Sequence, residues 1–174
     1  MPEPGAPPDF AALYDLYFAR IYNYVRGQVS SAGEADDVTS RVFERVLSRL
    51  GSYRPERGSF EGWLFAVARN AVHDHFRSWR WGALFSLDEA PEPASREPGP
   101  EERLAAAEDQ ERLARALLGL DARSRDILGL KFQAGLSNRQ ISEALGLGES
   151  HVGVLVYRAV KKLQAALGAA EADS

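Results

Sequence analysis

The sequence lacks cysteine altogether, which excludes disulfide bonds, a thiolate nucleophile and a cysteine-bound zinc ion. Its 3 histidines have no metal-ligand spacing, and neither a glycine-rich phosphate loop nor a Gly-x-Ser-x-Gly elbow is present. His73 and His75 flank Asp74, but adjacent helical residues point about 100° apart and do not converge. We therefore expect no metal, no cofactor and no enzymatic activity.

Long hydrophobic runs are absent as well. No apolar stretch approaches the roughly 18 residues that a membrane-spanning helix needs. No secretory signal peptide is recognisable at the start of the sequence. We therefore expect a cytoplasmic protein with no membrane insertion.

An excess of positive charge is the third absence. The chain of 174 residues has 21 basic and 25 acidic side chains, and its net charge is −4. Proteins that bind DNA alone are usually basic, because neutralising phosphates and releasing counterions supply most of their affinity. A DNA-reading motif in this chain would therefore bind weakly, unless another protein supplied the remaining affinity.

The prolines divide the chain. Four of the 9 lie within residues 1–8, one is Pro55, and four interrupt the acidic segment 86–101. No segment shows the period-2 alternation of a strand, so we predict an all-α fold. The predicted parts are a disordered tail 1–8, a helical domain 9–85, a linker 86–101, a second helical domain 102–168 and a tail 169–174. The linker permits both a closed and an open arrangement, and a closed one would hide DNA-binding surfaces.

Apolar residues at helical spacing predict three helices in the first domain. Ser31 and Glu34 have the spacing of a capping box at the start of the second helix, and Ser59 is placed to cap the third. We expect their apolar stripes to form the core: Phe10, Leu13, Tyr14, Tyr17, Phe18, Ile21, Tyr24 and Val25; Val38, Val42, Phe43, Val46, Leu47 and Leu50; Phe60, Trp63, Leu64, Val67, Ala68 and Ala71.

The opposite face of the third helix is basic. Helical angle places Arg69, His73, Arg77 and Arg80 on it. Two tryptophans, Trp79 and Trp81, and the basic loop residues Arg54 and Arg57 lie nearby in sequence. The pattern fits a solvated basic face, and it also fits a surface on which cations hold phosphates and rings stack on single-stranded bases.

The second domain ends in two helices joined by a glycine turn. Ser137 and Gln140 form a capping-box pattern, Gly146 ends the short helix, and a longer helix begins near Glu149. This order is typical of a helix-turn-helix. Two helices precede it, the second capped by Asp121 or Ser124. The apolar positions that we expect to be buried are Leu104, Ala107, Leu113, Ala116, Leu117, Ile127, Leu128, Leu130, Phe132, Ile141, Ala144, Leu145, Val152, Val156, Ala159, Leu163 and Leu167.

Three stretches, in this order, resemble an extracytoplasmic-function (ECF) sigma factor of bacterial RNA polymerase. ADDVTSRVF at 35–43 is similar to the family's core-polymerase-binding helix. FEGWLFAVARN at 60–70, continuing to Arg77, is similar to the segment that melts and reads the minus-ten promoter element. Residues 120–163 resemble the region that reads the minus-thirty-five element. The resemblance implies core RNA polymerase, promoter DNA and an anti-sigma factor as partners, and it accounts for the acidic net charge because polymerase contributes DNA affinity.

Site residues follow from the resemblance in three groups. The polymerase clamp surface would include Asp36, Asp37, Phe43 and Arg45. Arg54, Arg57 and Asn70 would form a pocket for a flipped non-template base, and Arg69, His73 and Arg77 would hold the phosphates of that strand. The helix-turn-helix residues expected at DNA are Arg139, Ser150, His151, Val154, Tyr157, Arg158, Lys161 and Lys162.

Two positions depart from the family pattern. Members commonly have an acidic residue where this chain has Arg41. The second helix of the motif usually begins with a lysine and an arginine, but here Gly153, Val154 and Leu155 occupy that stretch. Apolar groups contact thymine methyls and form no hydrogen bonds with guanine, so we predict an A·T-leaning or shape-based minus-thirty-five preference. Alternatively, Val154 and Tyr157 are covered by an anti-sigma factor or by the first domain.

Two other functions fit parts of the sequence. One is a stand-alone helix-turn-helix regulator whose first domain senses a signal or dimerises. The other is a protein-interaction adaptor whose helix-turn-helix does not bind DNA, which the apolar Val154 and Tyr157 would suit. The acidic balance disfavours the stand-alone regulator.

Overall fold

The computed structural model describes residues 9–83 and 101–172, with side chains at 9–78 and 108–169. Helices account for nearly all of these two ranges, and neither contains a strand, so the all-α prediction is confirmed. None of the described helices is long and apolar enough to cross a membrane. The α-helices are α1 Phe10–Arg26, α2 Ala32–Arg49, α3 Phe60–Ala83, α4 Glu101–Leu118, α5 Ala122–Leu128, α6 Asn138–Leu145 and α7 Glu149–Ala172.

The predicted boundaries differ from the structure at the chain's end. The predicted tail is 169–174, but α7 continues to Ala172. The alanine-rich composition of this last turn and a half favours helix strongly enough to offset one glycine. The tail 1–8 and most of the linker 86–101 lie outside the described residues, as do the side chains of Leu104, Ala107, Trp79, Arg80 and Trp81.

The predicted helix starts are confirmed at atomic detail. Ser31 and Glu34 form a reciprocal capping box at α2, and Ser137 and Gln140 form another at α6. Ser59 Oγ accepts from the Gly62 amide at 3.1 Å at the start of α3. Of the two candidate caps for α5, Asp121 is the one used, because its carboxylate accepts from the Ser124 amide at 2.9 Å. The turn between α6 and α7 has Gly146 at φ 66°, the left-handed conformation that glycine adopts without a steric cost.

Some residues predicted to be core lie at the surface instead. Tyr14 and Phe18 of α1 are exposed on one side, yet both rings lie against buried Phe43, with ring centroids 4.5 and 6.2 Å away. They form an outer aromatic layer over the core. Leu47, Leu113 and Phe132 are exposed as well.

Helix α3 is buried on two faces. Leu64, Val67, Ala68 and Ala71 pack within the first domain as predicted, but Phe65 and Val72 on the adjoining face are also buried. Phe65 contacts Tyr24 and Arg20 of α1, and α3 also packs against the second domain, mainly α6. One continuous core therefore runs through both domains, and its second-domain members are Ile127, Leu128, Leu130, Ala134, Leu136, Ile141, Val152 and Ala159.

A π-helical turn connects α5 to the helix-turn-helix. It spans Gly129–Gln133, where the Ala134 amide donates to the Gly129 carbonyl five residues earlier at 2.9 Å. Such wide turns occur inside helices, frequently at functional sites. Here the turn brings Gly129 close to the first domain. A methyl group added at Gly129 would lie only 2.5 Å from Gln28 Nε2.

Candidate nucleic-acid interface

Asp126 of α5 is buried in contact with the first domain. Tyr24 Oη donates to Asp126 Oδ1 at 2.6 Å, and Arg69 Nε donates to Asp126 Oδ2 at 2.5 Å. Burial, together with the negative charge of Asp126, raises the pKa of Tyr24 well above its usual value. The basic face of α3 therefore makes a charged hydrogen bond to the second domain, rather than lying free in solvent.

His73 lies at the edge of the same contact. Its Nε2 atom is 3.9 Å from Asp126 Oδ2, beyond hydrogen-bond distance. Burial and the positive charge of Arg69 lower the pKa of His73, outweighing the attraction of Asp126. At pH 7 the imidazole is accordingly neutral, and of the three residues expected to hold phosphates, only Arg69 and Arg77 carry charge.

Glu143 of α6 makes the second contact with α3. Its Oε2 atom accepts from the Ser59 amide at 2.9 Å and from the Ser59 hydroxyl. These hydrogen bonds lower the pKa of the Glu143 carboxyl. The approach is close, because a methyl group added at Gly62 would lie 2.8 Å from Glu143 Cβ. A carboxylate from the helix-turn-helix thus lies at the N-terminus of α3, where the helix dipole favours negative charge.

An open cavity of about 770 Å³ adjoins the Glu143 contact, between the loop before α3 and the start of α6. Arg57 and Arg139 both line it, one from each domain. Of the residues expected to form a base pocket, Arg54 and Asn70 are not on this wall. Arg54 donates instead to the carbonyls of Gly51 and Tyr53, and Asn70 is exposed on α3.

Hydrogen bonds from Arg20 and Gln28 to backbone carbonyls complete the interface between the domains. Arg20 Nε donates to the Ala134 carbonyl at 2.8 Å, and its guanidinium lies 5.6 Å from the Phe65 ring centroid. Gln28 Nε2 donates to the Arg125 carbonyl at 3.2 Å. With the carboxylate contacts and the shared core, these place the molecule in the closed arrangement.

The residues expected at the polymerase surface divide into exposed and internal ones. Asp36 and Asp37 are exposed on α2, whereas Phe43 is buried beneath the outer aromatic layer. Arg45 is half-buried and pairs with Asp74 of α3 at 2.8 Å, so it joins two helices of the first domain. Neighbouring His75 pairs with Glu34 instead, at 3.4 Å. The side chains around Asp74 thus meet different partners, and among the described residues no group of three or more His, Asp or Glu side chains could hold a metal ion.

The recognition helix α7 is uncovered by the first domain. Val154 is 46% and Tyr157 is 64% exposed, so the alternative in which the first domain covers them is wrong for this arrangement. Lys161 Nζ lies 5.7 Å from the centre of the Tyr157 ring. Exposed with them are Ser150, His151, Arg158 and Arg139.

Lys162 differs from its neighbours on α7. Its Nζ donates to Asp121 Oδ2 at 2.6 Å and to Ser124 Oγ at 3.1 Å. The first of these bonds is the main reason that the pKa of Asp121 is far below its usual value. Lys162 thus fastens α7 to the start of α5 and is less available to a phosphate than Lys161.

Both sigma-70 regions are found in the chain by comparison with known families. Residues 13–82 match sigma-70 region 2, and residues 110–163 match sigma-70 region 4. CnrH, an RNA polymerase sigma factor of Cupriavidus metallidurans, is 34% identical over 143 residues, covering 78% of this chain and 74% of CnrH. The ECF sigma factor SigL of Mycobacterium tuberculosis is 32% identical over 161 residues, covering 90% of this chain and 87% of SigL.

A third relative is longer. The ECF sigma factor BldN of Streptomyces coelicolor is 31% identical over 159 residues, which make up 91% of this chain but 60% of BldN. Among solved structures, CnrH in complex with the cytosolic domain of CnrY has a TM-score of 0.69 at 25% identity, over 95% of this chain and 91% of that one. RpoE of Bartonella quintana, solved with the anti-sigma factor NepR, shares the fold, with a TM-score of 0.74 at 20% identity, over 92% and 97% of the two chains.

Region 2 followed by region 4 in an all-helical chain defines a sigma subunit of bacterial RNA polymerase. Within that class, this chain belongs to the ECF sigma factors of the sigma-70 family. Membership favours a promoter-recognition subunit over the stand-alone regulator.

Proposed function

We propose that the protein binds core RNA polymerase in the cytoplasm, recognises and melts promoter DNA and directs transcription initiation, without catalysing a reaction itself. The observation that carries this proposal is the presence of both sigma-70 regions in one chain. Region 2 supplies the basic face of α3, and region 4 supplies the exposed side of α7. Neither suffices alone in an acidic protein, because polymerase has to provide the remaining DNA affinity.

Region 2 has separate surfaces for polymerase and for DNA. We assign polymerase binding to the exposed carboxylates Asp36 and Asp37, with Phe43 supporting the surface from beneath. The α3 face that includes Arg69 and Arg77 would hold the phosphates of the melted strand. Arg57, on the cavity wall, is the best-placed of the loop residues to contact a flipped base.

Region 4 would hold the minus-thirty-five element in the major groove. Val154 and Tyr157 project from the exposed face of α7, flanked by Arg158 and Lys161. Apolar and aromatic groups discriminate through thymine methyls and shape, whereas the flanking cations position the helix on phosphates. Solved relatives are held by CnrY and by the anti-sigma factor NepR, and we propose an anti-sigma factor for this chain too.

The experiment that tests this function is gel filtration with bacterial core RNA polymerase, followed by transcription from randomised promoter fragments. We expect co-elution and selective initiation. Reversing the charge of Asp36 and Asp37 to lysine should abolish co-elution, whereas Asp109→Lys with Glu111→Lys on α4 serves as the matched control. Tight, specific duplex binding without polymerase, and no co-elution, would overturn the proposal.

A second pair of variants separates DNA handling from polymerase binding. Arg77 is 74% exposed and Arg115 is 69% exposed, each with one weak intrahelical ion pair. Arg77→Ala should reduce promoter opening while leaving co-elution intact, because it removes one phosphate contact. Arg115→Ala should leave both unchanged.

A further inference from the structure

The basic face of α3 is matched by acidic groups of the second domain. Asp126 accepts a hydrogen bond from Arg69, and Glu143 accepts two from Ser59 at the first turn of α3. Both carboxylates come from region 4, and both bind groups on one side of a single helix. That side is the one on which single-stranded DNA would lie.

We propose that region 4 is the intramolecular occupant of the single-stranded-DNA surface, with the Asp126 and Glu143 carboxylates in place of two backbone phosphates. The inference rests on the proposed function for the identity of that surface. A carboxylate and a phosphate are both oxyanions, and both accept hydrogen bonds from a guanidinium or from backbone amides. Either group can therefore bind at these two positions.

The exclusion is steric as well as electrostatic. Asp126 is only 5% exposed, and Tyr24 Oη occupies its other oxygen, so a phosphate has no route to Arg69 Nε while the domains are closed. Around Ser59, the Glu143 side chain fills the space directly above Gly62. At these two positions DNA strand binding therefore competes with domain closure, as two states of one equilibrium, whereas Arg77 is exposed in the closed form.

Glycine makes this close approach possible, and it offers a charge-neutral way to open the molecule. An alanine at position 62 would place its methyl 2.8 Å from Glu143 Cβ and 2.7 Å from Glu143 Oε2. Alanine suits a helix better than glycine does, so Gly62→Ala should not weaken α3 itself. It should separate region 4 from region 2 with no change in net charge.

The test uses the full chain without polymerase, and it benefits from the absence of native cysteine. Cysteines introduced at exposed Ser48 on α2 and Gln164 on α7 carry a donor and an acceptor dye, whose energy transfer reports closure. Binding of a fluorescent 20-nucleotide single-stranded DNA of random sequence is measured on the same molecules. The variants are Gly62→Ala, the double variant Asp126→Asn with Glu143→Gln, and the control Asp109→Asn with Glu111→Gln, which removes the same charge from exposed positions of α4.

We expect both interface variants to lose energy transfer and to bind the oligonucleotide about tenfold more tightly, within the usual range of coupling between two states. The control should change neither quantity beyond the small effect of net charge. By the same linkage, excess oligonucleotide should lower the energy transfer of the unaltered chain.

Three results would overturn the inference. Unchanged energy transfer in the carboxylate variant would mean that these groups do not hold the domains together. Opening without tighter DNA binding, or equal tightening in the control, would mean that region 4 does not occupy the strand surface. If the proposed sigma function is wrong, the protein will not co-elute with core polymerase or support transcription. The energy-transfer and oligonucleotide measurements do not depend on that result.

Discussion

The two surfaces proposed to read DNA differ in how far they are covered. On the proposed strand-binding face of α3, Arg69 is engaged by a buried carboxylate, whereas Arg77 further along is exposed. The recognition helix α7 is uncovered, and its apolar Val154 and Tyr157 face solvent. The charged surface is the partly covered one, because two carboxylates of the second domain, Asp126 and Glu143, offer it hydrogen-bond partners. The difference suggests an order of events in which duplex reading is available first and strand capture requires the domains to separate.

Truncating one apolar side chain on α3 and one on α7 should produce the largest difference in the free energy of unfolding. Phe65 is fully buried on the covered face of α3, so Phe65→Ala should lower the free energy of unfolding by about 3–5 kcal/mol. Val154→Ala on the uncovered helix should change it by less than about 0.5 kcal/mol. Urea unfolding followed by circular dichroism measures both. Similar losses from the two variants would mean that α7 is also packed in solution.

Promoter choice should respond to the apolar stripe of α7. Val154→Arg places a guanidinium where the helix would face base edges, and a bidentate contact to guanine is worth about 1–3 kcal/mol of discrimination. We expect the A·T-leaning preference of the unaltered protein to shift toward guanine in a reporter panel with single-base changes. Strict guanine dependence before the substitution would contradict this account of the stripe.

Breaking the ion pair between Lys162 of α7 and Asp121 should have a smaller effect, and only on the free energy of unfolding. Asp121 both caps α5 and binds Lys162. Asp121→Ala should cost about 1 kcal/mol of unfolding free energy, mostly through loss of the cap. Asp121→Asn keeps the capping oxygen and isolates the exposed ion pair, for which we expect at most about 1 kcal/mol. Thermal unfolding compares the two, and a larger loss from asparagine than from alanine would reverse their assigned roles.

Closure should depend weakly on pH through Glu143. Hydrogen bonds from Ser59 lower its pKa from the ordinary 4.5, so the carboxylate stabilises the closed form above that value. The contribution is lost as pH falls through the lowered pKa, because protonation removes the acceptor charge. The contribution of Glu143 to closure should be constant from pH 7 to about 5 and then decline, and dye energy transfer measures it by comparison with Glu143→Gln.

Glu143→Gln is the control for that titration. Glutamine has no charge to lose, so this variant should begin with less energy transfer and show a flatter profile. An identical decline in the variant would assign the pH dependence to acid unfolding elsewhere.

Local features of the fold could be read from the sequence because each depends on neighbouring residues. The capping boxes at Ser31 and Ser137 and the left-handed Gly146 are short-range patterns with a direct physical cause, and all three are confirmed. The exposed stripe on α7 followed from helical angle alone. Tyr14 and Leu47 were misplaced because an apolar stripe is often wider than the neighbouring helix that covers it.

The interface between the domains could not be predicted in the same way. Phe65 lies outside the main apolar stripe of α3, and periodicity identifies one buried face where the structure has two. Asp126 and Glu143 were not anticipated as partners of α3, since each meets residues 57 or more positions away in sequence. The one signal in the sequence was the position of Asp126, a charged residue directly before the apolar pair Ile127 and Leu128. That position suggests burial, but it does not specify which distant cation pairs with Asp126.

The π-helical turn at Gly129–Gln133 accommodates one residue more than an α-helical turn would. The chain leaves the helix after Gln133 and passes through Gly135, at φ 68°, before α6 begins at Asn138. The Leu136 amide donates to the Leu130 carbonyl at 3.0 Å, so the turn and the loop after it are hydrogen-bonded to each other. Deleting solvent-exposed Phe132 would remove the extra residue of the turn and disturb this connection between Asp126 and Glu143, although its side chain contributes little packing. At this position the number of residues is therefore more constrained than their identity.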